Sequence, residues 1–267
     1  MKKTGIIIIS AALITAVGLS GCGKITETSE SNGSVASGSG AGGNGETVYL
    51  QSKYTVTSTS DYVKSSSTVF KYDEQGNLIM SVYYDADEKM TGWDTDYTYN
   101  ESGNELVHIQ YDAEGTAYGF VSREYDENQK VTRYTTYSNN GEPITDTSYK
   151  YELDDKGNVV LMSCFDENGK HVQDNEYDDH GKIVKETYYL DNSIAVYDYE
   201  NEYDANGNNT KTTIYITYGN NGTRKLDSSN ELTYDEHGNM IKLVHHDANG
   251  NTEFYYEIEY FEYTKPA

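Results

Sequence analysis

From about residue 72 onward the chain repeats one arrangement. A stretch of alternating apolar and polar positions ends on a large ring or aliphatic, Asp-x-x-Gly or a worn form of it follows, and the next stretch begins. In "GNLIMSVYYD", Leu78, Met80, Val82 and Tyr84 share one side of an extended chain. In "GNVVLMSCFD", Val159, Leu161 and Phe165 share one side, and Val160, Met162 and Cys164 the other. Stretches such as "GKHVQDNEYD" and "GTRKLDSSNELTYD" are more polar. A period of two with a Gly turn every dozen residues predicts an all-β chain. Apolar residues on both faces predict a sheet covered on both sides or curled on itself.

The residues preceding each turn phrase are Tyr72, Tyr84, Tyr99, Tyr111, Tyr125, Tyr137, Leu153, Phe165, Tyr177, Leu190, Tyr203, Tyr218, Tyr234 and His246. Short and longer intervals mostly alternate, so the larger unit is a pair of stretches with a period near 27. "YDENQK" at 125–130 has lost its Gly, and "YSNNG" at 137–141 has Ser for Asp. Residues 47–71 read as strands leading into the array without its turn phrase. Asp at the start of a turn accepts backbone N–H bonds from two residues on, and Gly takes the left-handed position that closes a type I turn with a bulge. The predicted fold is therefore a repetitive antiparallel β-meander of hairpin repeats. About fourteen strands at ~4.8 Å spacing would make an elongated, twisted or curled sheet roughly 65 Å across.

Composition agrees. The chain holds 28 Tyr and 2 Pro, and aromatic and β-branched residues suit pleated, half-buried surfaces. Its net charge is −24, and removing residues 1–21, which carry Lys2, Lys3 and no acid, makes it −26. That excludes phosphate-backbone binding as a main task, so no nucleic-acid partner is expected.

The N-terminus is read as a targeting segment. Lys2 and Lys3 precede the apolar run "GIIIISAALITAVGL", of secretory length. "LSGC", ending at Cys22, resembles the lipobox of bacterial lipoproteins. The resemblance implies cleavage after residue 21, acylation of Cys22 by chains such as palmitate, and attachment to the extracytoplasmic face of the cell membrane. Acyl chains anchor at ~0.8 kcal/mol per buried CH₂. Cys164 is then the one remaining thiol, read as a small packed residue. Residues 23–46 are a Gly/Ser-rich tether with a reach of roughly 25–30 Å. Three segments result: 1–21 signal peptide, 22–46 acylated Cys and flexible tether, 47–267 repeat array.

"YDEQGNLI" (72–79), "YDANGN" (203–208) and "YDEHGNMI" (234–241) resemble the YD repeat of the Rhs family. The resemblance covers about residues 70–255 and implies long antiparallel strands spiralling into a sheet. The few repeats and the lack of a toxin-like C-terminal domain or an Asp-Pro-x-Gly-type core limit it to the fold. Locally, "YYDADEKMTGW" (83–93) looks like choline- or glucan-binding wall repeats. Those need a Trp in most copies, whereas Trp93 is the single one here.

No catalytic order of Ser, His and Asp or of Cys and His stands out. His180 and His237 share a turn slot just before Gly and are expected exposed, while the adjacent His245 and His246 should point to opposite faces. Asp-x-Asn-Gly turns at Asp166, Asp204 and Asp247 invite a calcium reading, but Gly arrives at the fourth position with no closing bidentate Glu. Neither metal nor cofactor nor catalysis is expected. The functional expectation is a lipid-anchored, surface-displayed interaction module with an unknown protein or polysaccharide ligand. The alternatives are a wall-polysaccharide binder using Tyr-rich faces, an accessory or immunity lipoprotein related to Rhs-type toxins, and an enzyme. A buried carboxylate pair in a cleft would favour the last.

Overall fold

A computed structural model describes residues 47–59, 65–219 and 222–264; Cys22, the signal segment and the tether lie outside the described residues. The turn phrase does what its residues dictate. Asp73 accepts the Gly76 N–H on its carbonyl and donates its own N–H to Asn77. Its Oδ1 takes the N–H groups of Gln75 at 2.9 Å and Asn77 at 2.8 Å. Gly76 sits at φ 83°, where a Cβ would be strained. Worn copies keep the geometry. Glu88 and Gln129 occupy the same seat at φ 58° and 62°, and Ser138 Oγ replaces the carboxylate in accepting the Glu142 N–H at 3.2 Å. Gln129 has a use for its side chain, whose amide oxygen takes the Asn104 Nδ2 at 2.7 Å across two neighbouring turns.

Sixteen strands result: β1 (Thr47–Ser58), β2 (Ser66–Tyr72), β3 (Leu78–Asp85), β4 (Met90–Tyr99), β5 (Glu105–Asp112), β6 (Ala117–Tyr125), β7 (Val131–Ser138), β8 (Pro143–Leu153), β9 (Val159–Phe165), β10 (His171–Tyr177), β11 (Ile183–Tyr189), β12 (Ile194–Tyr203), β13 (Asn209–Tyr218), β14 (Lys225–Tyr234), β15 (Met240–Asp247) and β16 (Thr252–Thr264). Each member of the sequence series, from Tyr72 to His246, lies at or next to the last residue of one strand from β2 to β15. The count exceeds fourteen because β1 precedes the first phrase and β16 follows the last.

All neighbours pair antiparallel in sequence order, and β1 pairs with β16, so the meander closes into a barrel. The closing register runs from Thr47↔Thr264 to Ser58↔Phe254. Closure removes both exposed strand edges. The antiparallel meander itself explains the doubled period, since every second turn returns to the same rim. Turns 73–77, 100–104, 126–130 and their successors share the rim at which β1 begins and β16 ends.

The Tyr of the phrase acts as a latch. Tyr72 donates its hydroxyl to the carbonyl of Gln51, Tyr125 to Glu105, Tyr151 to Val131, Tyr234 to Asn209 and Tyr260 to Met240, at 2.7–3.1 Å. Tyr99 does the same to Leu78. Tyr72, Tyr99, Tyr125 and Tyr234 close their strands, whereas Tyr151 and Tyr260 lie inside theirs; each binds the strand before it, at an opening residue except at Gln51, the fifth residue of β1. On β12, Asn201 Nδ2 takes this part toward Ile183, at 3.0 Å.

The pleat separates a polar outer wall from a mixed interior. On β10 and β11, Glu176 and Lys185 pair outside at 2.8 Å, while their neighbours Asn175 and Glu186 are buried. Lys211–Glu202 and Lys242–Glu257 repeat the pattern on other strands. A charge on a lipid-facing wall costs about 2–4 kcal/mol near the midplane, so this wall suits water. Buried apolar residues form separate clusters: Tyr54, Val56 and Ile258; Val131, Tyr149, Met162 and Cys164; Tyr197, Tyr199, Ile214 and Ile216. Met162 and Cys164 share the buried face as alternation requires, but Val160 is exposed and Val159 buried. The register shifts by one just after the turn, opposite Glu152 and Leu153, so the bulge resets the phase at Val160.

Candidate functional site

Between the apolar clusters the inner wall turns polar, and on β3 to β6 charged side chains gather around a cavity. Ser81 and Tyr83 on β3, Asp94 and Tyr97 on β4, Glu105 and His108 on β5, and Arg123 on β6 line one cavity of about 160 Å³. Asp94 registers between Ser81 and Gln110. Asp94 and Tyr97 are an odd number of residues apart and would face opposite ways on a regular strand. A bulge between Thr95 and Thr98 brings them to one side, with Asp96 in the left-handed region at φ 56°.

The polar contacts form a chain. Tyr83 donates its hydroxyl to Asp94 Oδ2. His108 Nε2 lies 3.5 Å from the same oxygen, and His108 Nδ1 lies 2.6 Å from Glu105 Oε1. A carboxylate can only accept, so Nδ1 carries the proton. Arg123 pairs with Glu105, and its guanidinium lies 5.3 Å from the Tyr134 ring centre. Ser81 Oγ and the Tyr97 hydroxyl share a hydrogen bond of 3.0 Å. Asp94 is 5% exposed, and its Oδ1 is buried with no hydrogen-bond partner.

Burial pushes the Asp94 carboxyl above its ordinary range, against the pull of His108, the Tyr83 hydroxyl and Arg123. Burial holds His108 below its ordinary value, with Asp94 opposing. Tyr83 and Tyr97 are both raised, by burial first and by Asp94 second. The resting site therefore has neutral phenols, an imidazole biased to neutrality and a carboxylate with one unsatisfied acceptor.

A second buried carboxylate, Glu186, lies 1% exposed on β11. It accepts from Tyr199 at 2.5 Å and sits 3.4 Å from the Tyr188 hydroxyl.

The residues singled out from sequence fall elsewhere. His180 and His237 are partly exposed and stack on Tyr203 and Tyr49 at 4.1 and 4.3 Å. His245 turns toward Asn230 at 2.7 Å, and His246 toward Glu231 at 4.0 Å. Trp93 stacks on Tyr111 at 5.4 Å. Cys164 is packed in the β8–β9 cluster. Among the described residues, Asp178, Asp179 and His180 are the one group of three close enough to hold an ion. Asp178 is already engaged, by the turn N–H groups of His180 and Lys182 and by the Tyr203 hydroxyl. Asp94, Glu105, His108 and Arg123 escaped sequence reasoning. The available signal was "GWDTDY", where an acid sits inside an aromatic strand rather than at a turn.

No protein-family model matches the sequence, and no curated protein does. Among solved structures the chain is similar to a porin-like protein from Bacteroides uniformis ATCC 8492, at 10% identity and TM-score 0.47, covering 79% of this chain and 98% of that one. It is also similar to a chain of the TcdB2-TccC3-Cdc42 structure at 17% identity and TM-score 0.33, covering 75% of this chain and 13% of that one. The TcdB2-TccC3-TEV structure gives 17% identity, TM-score 0.32, and coverage of 74% and 11%. These likenesses concern fold alone; the site rests on this chain's own residues.

Proposed function

We propose that this chain is a lipid-anchored binding module displayed on the extracytoplasmic face of the cell membrane, a YD-repeat lipoprotein whose barrel takes its ligand in the β3–β6 cavity. Asp94, which lines that cavity and whose buried Oδ1 has no hydrogen-bond partner, carries the binding reading. The anchoring reading is supported by "LSGC" and by the polar outer wall, which leaves attachment to the lipid on Cys22. The Asp turn, left-handed Gly and Tyr latch give the repeat kinship its physical content.

An enzymatic reading has the Asp94–His108–Glu105 chain in its favour. Binding is preferred because the hydroxyl and one of the two carboxylates have competing partners. Ser81 bonds Tyr97 rather than His108, and Arg123 neutralises Glu105. A wall-polysaccharide reading has the stacked pairs Trp93–Tyr111 and Phe120–Tyr137 in its favour. These rings already cover one another, which lowers the area offered to a sugar face.

The test has two arms. Cells expressing wild type or Cys22→Ser are fed an alkyne fatty acid and fractionated; label and membrane residence should vanish together in the variant. Immobilised full-length protein is then exposed to surface extract. Capture by wild type but not by Asp94→Asn supports the cavity, and identical capture by both removes it.

A further inference from the structure

We propose that the β3–β6 cavity binds a small organic ammonium ion carrying at least one N–H, with Asp94 Oδ1 accepting that N–H and the surrounding rings facing the cation. The inference rests on the binding-module reading and names its ligand class.

Several polar groups of the cavity are already committed. The Tyr83 hydroxyl goes to Asp94 Oδ2, Tyr97 and Ser81 satisfy each other, and His108 Nδ1 donates to Glu105. Asp94 is one of the lining residues, and its buried Oδ1 has no partner. The unmet demand is therefore for a donor. A saccharide carries no net charge, so it would leave the charge of the buried carboxylate uncompensated. An anion would meet Asp94 in a protein of net charge −24.

Charge and wall chemistry then choose the kind of donor. Two carboxylates, Asp94 and Glu105, face one guanidinium, Arg123. Burial favours the neutral forms of both His108 and Asp94, and a cation beside Asp94 would favour its carboxylate, whose charge no second guanidinium compensates. Phe70, Tyr83, Tyr97 and Tyr134 supply ring surface, and ring faces attract cations. A cationic donor satisfies the oxygen, the charge and the rings together. The cavity of about 160 Å³ suits a small amine. Exposure grades outward, from 7% and 8% for the Asp94 and His108 side chains to 21% for Glu105 and Arg123, so the Glu105–Arg123 pair stands at the mouth.

The experiment is calorimetric titration and thermal melting of the full-length protein in neutral detergent at fixed ionic strength. Ethanolamine and 1,4-diaminobutane are the probes, and tetramethylammonium, glucose and sodium chloride the comparators. Saturable binding of at least one amine is expected, with tetramethylammonium at least fivefold weaker because it has no N–H. Asp94→Asn should weaken amine binding at least tenfold, while the exposed control Glu231→Gln leaves it unchanged. Should Asp94→Asn fail to fold, Tyr97→Leu removes a ring without touching the carboxylate and should weaken binding severalfold. Amine responses no larger than those to sodium chloride overturn the proposal, as does equal binding by Asp94→Asn and wild type or by tetramethylammonium and the primary amines. Binding of glucose alone overturns the ammonium assignment and leaves the binding module standing. Silence toward every probe, with Asp94-dependent capture from extract intact, does the same.

Discussion

Tyr125 donates its hydroxyl to the backbone carbonyl of Glu105 at 2.7 Å, and the carboxylate of that same Glu105 holds Arg123 and His108. One latch of the repeat thus fixes the residue at the mouth of the cavity. The scaffold element and the site share an atom's neighbourhood, so damage to the repeat here should be felt in both.

Tyr125→Phe should cost about 1 kcal/mol, the usual net worth of one hydrogen bond. Tyr151→Phe removes the equivalent bond to Val131 and should cost a similar amount. Urea midpoints compare the two. Only Tyr125→Phe should also weaken ligand capture, since Val131 lines no part of the cavity. Equal capture by both variants would separate the latch from the site.

Gly207 sits at φ +84°, with the nearest atom 3.9 Å from where its Cβ would be. Gly207→Val should therefore lose about 1–2 kcal/mol from backbone strain rather than from a clash. The converse substitution is Glu88→Gly, at a seat of φ 58°, which should gain about 1 kcal/mol less the extra freedom given to the unfolded chain. An unmoved urea midpoint for Gly207→Val would show that the turn tolerates a β-branched residue.

Acid should loosen the turns. The Asn251 side-chain amide, then the Asn251 and Asn249 N–H groups, pull the Asp247 carboxyl down to about 2. Asp73, Asp154, Asp204 and Asp235 are also lowered, each with hydrogen bonds from its own turn. An unfolded Asp titrates near ~3.9. Between these values the unfolded chain binds more protons, so the stability these groups supply is full above about pH 4 and falls as pH drops toward about 2. Denaturation midpoints from pH 5 to pH 2 should show the loss, and Asp247→Asn should make the profile shallower.

Calcium should stabilise no more than magnesium at equal ionic strength. Oδ1 of Asp166, Asp204 and Asp247 already accepts two backbone N–H groups in each turn. A calcium ion bound there would have to displace them, whereas a site preformed in the folded state would raise the melting point by mass action. A calcium-specific rise of several degrees would make the turns binding loops.

The fold was legible because its determinants are local. Asp, Gly and the closing ring act within five residues of one another, so every turn from Tyr72 to His246 could be placed before any contact was known. The expected exposure of His180 and His237 came from the same turn slot. Alternation was less dependable. Val160 left the face assigned to it because a bulge resets the phase, and nothing in "GNVVLM" shows which residue is the extra one.

By itself, then, the sequence determined the strands, their turns and their meander order, through hydrogen bonds that each turn makes to its own backbone. The tertiary structure decided closure, because the pairing of Thr47 with Thr264 joins residues with no turn between them. It also decided the site. Asp94 and Tyr97 meet through a bulge, and Arg123 reaches Glu105 from the next strand. Which acid of so many becomes buried and unsatisfied depends on which face the register turns inward, and one residue of shift would have placed Asp94 in water.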